Sequence, residues 1–280
     1  MQPAAFHPGP GPVYVENEQL MTPIEDPFRE SEAGLSDQIN DFWSRNVNAE
    51  RLMGREVTTR ERGEEAYFRH LSEQRYRSHR HLLPWIHSME KGKSVLEVGS
   101  GVGLDSYEMA RHGMRVSAVD LTDVAIETLK KRFQDLGMDG EFQTANAEAL
   151  PFEDNSFDYV YSFGVLHRAA DTGKCINEAW RVLRPGGTAL IMLYHRHSLN
   201  ELVHRMLRVP FEERDEVCPV VRRYSRSEVR DLFAEFSTVC IDLDYLYGEG
   251  YGSLFRFTPL WLYRLLSRYI GWHLMIRAVK

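Results

Sequence analysis

Three closely spaced glycines and one aspartate form the strongest chemical signal in this 280-residue sequence. Gly99, Gly101 and Gly103 follow the apolar run 94–98, and Asp120 ends the next apolar run, twenty-one residues after Gly99. A residue without a Cβ lets the backbone approach a ligand closely or adopt a positive φ. A carboxylate at the end of a second strand can accept hydrogen bonds from ribose hydroxyls. The pattern therefore indicates a ligand that contains a nucleoside.

The spacing of the glycines and a second acid, Glu97, narrow the choice of ligand. A dinucleotide-binding turn requires G-x-G-x-x-G, but Leu104 stands three residues after Gly101, so the spacing is G-x-G-x-G. A pyrophosphate beside Glu97 would meet like-charge repulsion in a low-dielectric cleft. S-adenosylmethionine suits these residues because it is cationic, carries a ribose diol and has no phosphate. A nicotinamide cofactor, and hence a dehydrogenase, is the less favoured alternative.

The segments that must position these residues predict a doubly wound α/β fold. From residue 93, short apolar runs alternate with amphipathic ones, which is typical of a parallel sheet covered on both faces. Seven strands, the last one antiparallel, are expected at 94–98, 115–119, 141–145, 159–163, 188–194, 238–247 and 272–279. Helices are expected at 105–112, 123–136 and 174–183, and Ser225 with Glu228 predicts a capping box for a helix through Phe236. The RPGG sequence at 184–187 predicts a turn before the fifth strand.

The remaining segments predict additions to this sheet. Residues 1–34 are rich in proline, glycine and acid, which predicts a disordered tail or an arm lying on the rest of the protein. Residues 35–92 are expected to form an N-terminal helical cap, with a long helical segment at 61–89 that Pro84 breaks or kinks. The ligand-binding domain is expected to occupy 93–280, with an insertion at about 197–224.

Composition indicates which binding partners and which cell compartment to expect. A formal net charge of -7 argues against a large nucleic-acid footprint, which needs clustered Lys and Arg. Cys175, Cys218 and Cys240 lack metal or redox spacing, so three reduced thiols are expected. The N-terminus has no basic region with a sustained apolar core, and no run of about 18 apolar residues occurs. We therefore expect a cytoplasmic protein, with no inference about its oligomeric state.

With these motifs in order, the sequence resembles the class I S-adenosylmethionine-dependent methyltransferases, particularly the small-molecule branch similar to the ubiquinone/menaquinone C-methyltransferases. The resemblance rests on VLEVGSGVG, VDL, ANAEALPFEDNSFDYVYSFGVLHR and EAWRVLRPGGTALI, between about residues 93 and 187. It implies a seven-stranded Rossmann-like methyltransferase sheet, with acceptor specificity carried by the N-terminal helices and by the insertion at about 197–224, which would act as a lid.

The resemblance also implies a role for each matching residue. The methionine part of the cofactor would lie against Gly99, Ser100, Gly101 and Gly103, with Glu97 supporting the amino end. Asp120 would accept the ribose hydroxyls, and the adenine would meet Leu121, Asn146 and Ala147. Ser162 and Phe163 would form the floor below the sulfonium, and Arg75 and Tyr76 resemble cap residues that close over the cofactor. Asn146 replaces the usual Asp but can still accept through its carbonyl oxygen, and Arg168 stands where relatives often carry a second His.

Two histidines are candidates for the general base. His167 follows the fourth predicted strand and His195 the fifth, and both strand ends are expected to face the cleft beside the cofactor. A neutral imidazole near pH 7 is suited to taking a proton. A histidine that only hydrogen-bonds a loop is the alternative for each. The HRH sequences at 79–81 and 195–197 lack carboxylate or Cys company, so no metal is predicted.

These observations predict a methyltransferase that acts on a small, largely apolar metabolite of biosynthesis and releases S-adenosylhomocysteine. The sequence leaves open whether O, N or C is methylated. A quinone-precursor C-methyltransferase at the membrane surface is one alternative, because the C-terminal segment carries Arg256, Arg264, Arg268 and many aromatics without an acid. A protein that binds S-adenosylmethionine without catalysis is another.

Overall fold

The structure, a computed structural model, describes residues 32–46, 63–207, 218–248 and 251–280. Its centre is a sheet with the strand order β3-β2-β1-β4-β5-β8-β7, and the two-residue β6 pairs with β5. The strands are β1 (Ser94–Val98), β2 (Arg115–Asp120), β3 (Glu141–Thr144), β4 (Phe157–Phe163), β5 (Leu183–His195), β6 (Arg223–Tyr224), β7 (Thr238–Asp244) and β8 (His273–Val279). The last strand runs antiparallel to β5 and β7. The predicted α/β fold with seven main strands is therefore confirmed, and β6 lies within the predicted insertion.

Helices cover both faces of this sheet and its C-terminal edge. They are α1 (Glu32–Arg45), α2 (Glu65–Ser78), α3 (Leu82–Ile86), α4 (Leu104–His112), α5 (Asp123–Asp135), α6 (Thr172–Val182), α7 (Leu199–Leu207), α8 (Arg226–Leu232), α9 (Ser253–Phe257) and α10 (Leu260–Ile270). The capping box at the start of α8 forms as predicted, because Ser225 Oγ accepts the N–H of Glu228 while the Glu228 side chain accepts the N–H of Ser225. The predicted arm at 1–34 lies almost wholly outside the described residues.

Successive residues of the central strands enter two different cores. Leu96 and Val160 pack into a large apolar cluster beneath α6 and α8, whereas their neighbours Val95 and Tyr161 pack into a second cluster beneath α3 and α4. Side chains alternate across a strand, so a strand buried on both faces needs apolar residues at consecutive positions. This requirement explains the short continuous apolar runs in the sequence.

Two predicted elements are longer than the observed ones, because α8 ends at Leu232 and not at Phe236, and β7 ends at Asp244 and not at residue 247. Two further elements differ from the prediction as well. The RPGG sequence is part of β5 and not a turn, because Leu183 already pairs with Phe157 and the register shifts before Thr188 pairs with Tyr159. On the side of β5 that faces β8, the N–H of Gly186 donates to the carbonyl of Lys280. The second difference is the helix break, which comes after Ser78 and not at Pro84. Pro84 lies in the first turn of α3, where a missing N–H costs no hydrogen bond.

A buried carboxylate fastens the helical cap to the sheet. Asp105, in the first turn of α4, is 2% exposed and accepts hydrogen bonds from Arg75 Nε at 2.8 Å, from Tyr76 Oη at 2.9 Å and from Tyr161 Oη at 2.8 Å. Arg75 and Tyr76 belong to α2, whereas Tyr161 belongs to β4. Although burial alone would raise the pKa of Asp105, the guanidinium of Arg75 and the three donors hold that pKa below its ordinary value. One side chain thus joins the cap, α4 and the sheet.

This arrangement predicts that Arg75→Met destabilises the protein. The substitution removes the cationic partner of a buried carboxylate, and loss of one member of a buried pair costs about 3–5 kcal/mol. The matched control is Arg77→Met, because Arg77 lies on the exposed face of the same helix. Urea unfolding should give a lower free energy for Arg75→Met and a value close to that of the parent for Arg77→Met. Equal stabilities of the two variants would contradict the role of Asp105 as the fastening residue.

Candidate functional site

A cleft of about 640 Å³ opens at the carboxyl ends of β1, β2, β4 and β5. Parallel strands end at the same edge of the sheet, and ligands of doubly wound folds bind there. Residues of α1, among them Ile39 and Trp43, also line this cleft. Of the residues predicted to hold a cofactor, the cleft is lined by Arg75, Glu97, Gly99, Ser100, Gly101, Asp120, Leu121, Asn146, Ala147 and Phe163.

The turn after β1 needs glycine at two positions, because side chains would not fit there. Gly99 has φ 78°, and a Cβ at this position would lie 2.4 Å from Val165 Cγ1. Gly103 has φ 76°, and its Cβ would lie 2.1 Å from Leu129 Cδ1. Both positions need glycine, but for different neighbours. Gly99 presents backbone to the cleft, whereas Gly103 packs against α5 and does not line it.

Asp120 holds the glycine turn at the end of β2. Its Oδ2 accepts the N–H of Gly101 at 2.8 Å, and its Oδ1 accepts the N–H of Thr122 at 3.0 Å and the hydroxyl of Thr122 at 2.9 Å. Burial raises the pKa of Asp120, although these donors oppose the shift. Oδ1 already accepts two hydrogen bonds and Oδ2 accepts one, so Oδ2 can accept a further hydrogen bond from a ligand in the cleft.

Glu97 is a carboxyl group kept in an environment that disfavours its charge. It is 3% exposed, lines the cleft, and accepts a hydrogen bond from Ser106 Oγ. Burial and the nearby charge of Asp105 raise the pKa of Glu97 well above its ordinary value. A cation placed beside Glu97 would favour its ionised form. The two carboxyl groups, Glu97 and Asp120, and the bare glycine turn therefore suit the cationic amino end and the ribose of S-adenosylmethionine.

The expected adenine side is also assembled in the cleft. Asn146 Oδ1 accepts the N–H of Glu148 at 2.9 Å, which fixes the amide and leaves one lone pair of that oxygen for a ligand. Leu121 and Ala147 line the same end. Two other predicted contacts lie behind the lining: Ser162 is fully buried and donates to the carbonyl of Val98, and Tyr76 faces Asp105.

The two histidines predicted to act as the general base do not line the cleft, although they lie near the ends of strands that point to it. His167 is fully buried behind Tyr194, with ring centroids 4.0 Å apart, and neither of its ring nitrogens has a hydrogen-bond partner among the described residues. His195 Nδ1 contacts the carbonyl of Gly271 at 3.0 Å, in the turn before β8. Neither side chain lines the cleft, because packing against β8 and Tyr194 turns both of them away from it. Their catalytic role stays a prediction that this geometry does not support.

Other histidines, which the sequence did not single out as a base, do line the cleft. His79 directly follows α2 and His273 begins β8, and both rings stack nearly parallel to Tyr245, at centroid distances of 4.7 and 4.4 Å. The HRH sequence at 79–81 was the available signal, but His273 lies 192 residues from His81 in the sequence and becomes its neighbour only when β8 joins the sheet. Within the described residues, no group of three or more His, Cys, Asp or Glu could hold a metal ion.

Sequence comparisons agree with this geometry. Residues 96–191 match the family model described as a methyltransferase domain. Over 120 residues, the chain is 32% identical to a ubiquinone/menaquinone biosynthesis C-methyltransferase of Klebsiella pneumoniae, a match that covers 41% of this chain and 47% of that protein. The corresponding enzyme of Pasteurella multocida is 34% identical, with 41% and 44% covered. The matches thus span less than half the length of these curated relatives.

Solved structures share the fold over more of the chain. A S-adenosylmethionine-dependent methyltransferase of Thermotoga maritima aligns with a TM-score of 0.56 and 18% identity, and the alignment covers 76% of this chain and 96% of that one. A methyltransferase in complex with the Trm112 methyltransferase activator of Haloferax volcanii aligns with a TM-score of 0.55 and 18% identity, covering 78% and 95%. At such identities these structures establish the fold alone. Together with the matching methyltransferase domain and the similar curated relatives, they support the resemblance to the class I S-adenosylmethionine-dependent methyltransferases.

Proposed function

We propose that this protein transfers a methyl group from S-adenosylmethionine to a small, largely apolar acceptor. The observation that carries the proposal is a single cleft that joins two unlike halves. One half presents Glu97, the glycine turn and Asp120. The other half is lined by aromatic side chains, Trp43, Phe163, Tyr194, Tyr245 and Trp272. A volume of about 640 Å³ suits a nucleoside with a small acceptor beside it.

The residues of the first half each have a task when the cofactor is bound. Glu97 would face the amino end, Asp120 would accept the ribose hydroxyls, and Asn146 would accept the adenine amino group. The bound donor supplies a methyl group that its cationic sulfur already activates. What remains for the protein is to align the acceptor and to exclude water, which is the contribution expected from the aromatic half.

Binding of S-adenosylhomocysteine to Asp120→Ala tests the assignment of the cofactor. Hydrogen bonds to a charged group contribute about 1.5–3 kcal/mol, so calorimetry should show affinity lowered by about 10- to 100-fold. Asp120→Asn keeps the shape of the side chain and is the second variant, because Asp120→Ala could change the conformation of the glycine turn. The control is Asp123→Ala, because Asp123 is exposed at the start of α5. Unchanged affinity in both Asp120 variants would contradict the ribose assignment, and a parent protein that does not bind would contradict the proposed function.

A second prediction concerns pH and Glu97. The ligand's ammonium group favours ionised Glu97, whereas burial and Asp105 raise the pKa of Glu97 in the free protein. Binding should therefore release a proton, and affinity for S-adenosylhomocysteine should rise with pH up to the raised pKa and then level off. Calorimetry in two buffers of different ionisation enthalpy measures the release. Glu97→Gln should abolish it, and a release that persists in Glu97→Gln would contradict the prediction.

A quinone precursor methylated on carbon at a membrane surface is a second candidate. The similar relatives carry that substrate class in their names. A surface formed by α7, α9 and α10 favours it, because large apolar side chains there are exposed: Leu202, Met206, Leu207, Leu254, Phe257, Leu260, Trp261, Leu265 and Tyr269. Arg256, Arg264 and Arg268 are exposed on the same helices. Basic residues interleaved with exposed apolar ones are typical of a helix that lies in the headgroup region. No helix within the described ranges is long and apolar enough to cross a bilayer.

Vesicle co-sedimentation tests this candidate. The protein should sediment with vesicles of phosphatidylcholine and phosphatidylglycerol and less with phosphatidylcholine alone. Arg256→Gln should weaken binding to the anionic vesicles about fivefold, because one basic residue near such a surface contributes about 1 kcal/mol. Trp261→Ser should weaken binding to both. Leu136→Ser is the control, because Leu136 is exposed at the end of α5, away from this surface. Equal vesicle binding by the parent and by all three variants would contradict a function at the membrane surface.

A further inference from the structure

A second cavity lies between β7, α8 and α10. It has a volume of about 640 Å³, and among the described residues none lines both this cavity and the cleft. Apart from Leu243, its lining residues are all charged, namely Arg226, Arg264, Arg268, Asp242 and Asp244. Sites for apolar molecules are lined mainly by hydrophobic and aromatic side chains, so this lining indicates a charged ligand.

Within the described ranges, the three arginines of this cavity form neither a hydrogen bond nor an ion pair. Arg264 and Arg268 lie one turn apart on the same face of α10, a helix that contains no Asp or Glu. Arg226 begins α8, and Glu228 in the same turn is already bound by Arg196 at 2.9 Å. The three guanidinium groups are therefore available to an anionic group of a ligand.

The two aspartates of the cavity lie on one face of β7. Asp242 and Asp244 alternate with Leu243, whose side chain belongs to the large apolar core, so the carboxylates lie on the opposite face of the strand. Asp242 is exposed, and the side chain of Asp244 is 38% exposed. Burial raises the pKa of Asp244, and the charges of Arg264 and Arg268 oppose that rise. The opposite charges are thus close enough to interact but do not form an ion pair, which leaves space for a ligand between them.

A ligand with charges of both signs fits this arrangement better than a simple ion. A phosphate alone would be repelled by Asp242 and Asp244, and an ammonium ion alone would be repelled by three arginines. The guanidinium fork matches the oxygens of a phosphate, and an ammonium group donates three hydrogen bonds that carboxylates accept. Asp244 Oδ1 already accepts the N–H of Tyr245 at 2.6 Å, so Asp244 Oδ2 and the exposed Asp242 are the oxygen acceptors for that group.

We propose that this cavity binds a small zwitterion with a phosphate group and a primary ammonium group, as in phosphoethanolamine. The phosphate contacts Arg226, Arg264 and Arg268, and the ammonium group contacts Asp242 and Asp244. Because the cavity and the cleft have separate linings, the proposal goes beyond the methyl transfer proposed above and does not depend on it.

The same chemical group occurs in free metabolites and as the headgroup of a phospholipid. A lipid is one source, because Trp261, Leu265 and Tyr269 form an exposed apolar row beside Arg264 and Arg268 on α10, where acyl chains can lie. A soluble metabolite is the other source, and vesicle binding distinguishes the two.

Calorimetry with phosphoethanolamine at low ionic strength tests the site. The parent should bind phosphoethanolamine more tightly than inorganic phosphate or ethanolamine, because each of these lacks one of the two charges. Arg268→Gln and Arg264→Gln should each weaken phosphoethanolamine binding about fivefold, the upper range for an exposed charge pair. Asp242→Asn should weaken the binding of phosphoethanolamine but not that of inorganic phosphate. All three side chains are exposed, so the variants should fold as the parent does.

The matched control is Arg115→Gln, because Arg115 is exposed at the start of β2 and does not line the cavity. Binding of S-adenosylhomocysteine should be the same in the parent and in every variant. A parent that does not bind phosphoethanolamine, or equal binding by the parent and both arginine variants of the cavity, would overturn the site. Inorganic phosphate bound as tightly as phosphoethanolamine would overturn the role of the aspartates.

Vesicles identify the source of the ligand. A headgroup ligand predicts that vesicles of phosphatidylcholine with phosphatidylethanolamine sediment more protein than vesicles of phosphatidylcholine alone, and that Arg268→Gln removes the difference. A soluble metabolite predicts binding of free phosphoethanolamine with no such difference between the vesicles. Either result supports the site, provided that Arg268→Gln weakens the binding observed.

Discussion

The charge on Asp105 is the constraint on which the rest of the site depends. This carboxylate has almost no access to water, so its ionised form exists only because Arg75, Tyr76 and Tyr161 all donate to it. Those donors come from the helical cap and from β4, and the cap therefore cannot leave without uncovering a buried charge. The same charge raises the pKa of Glu97. One ionised group thus holds the cap in place and, together with burial, raises the pKa of its neighbour Glu97.

The two halves of the cleft come from different parts of the chain. The half expected to hold the cofactor is formed mainly by consecutive loops between Glu97 and Ala170, within or near the region that matches other methyltransferases. The other half is assembled from α1, the ends of α2, β4 and β5, the start of β8 and the segment after β7. Because most of those segments lie outside the matched region, the similarity covers mainly the half expected to hold the cofactor and leaves the acceptor half to the geometry of this chain.

The same division separates the features that the sequence predicts from those that it does not. The strand runs, the glycine turn and the capping box at Ser225 are local features, so their residues alone specify them, and the expected fold is confirmed. The direction of a side chain at a strand end depends on which other strand packs beside it. His167 and His195 face away from the cleft because β8 and Tyr194 occupy their surroundings, and His273 lines it because β8 inserts between β5 and β7. No periodicity in the sequence carries that information.

At position 245, a relaxed backbone and an aromatic side chain exclude each other. Its left-handed backbone costs on the order of 1–3 kcal/mol in a residue other than glycine, and its ring covers His79 and His273. Glycine would relieve the backbone but delete the ring, whereas any other aromatic residue would keep the ring and the cost. A substitution that relieves the backbone at residue 245 would therefore also remove an aromatic ring from the lining of the cleft.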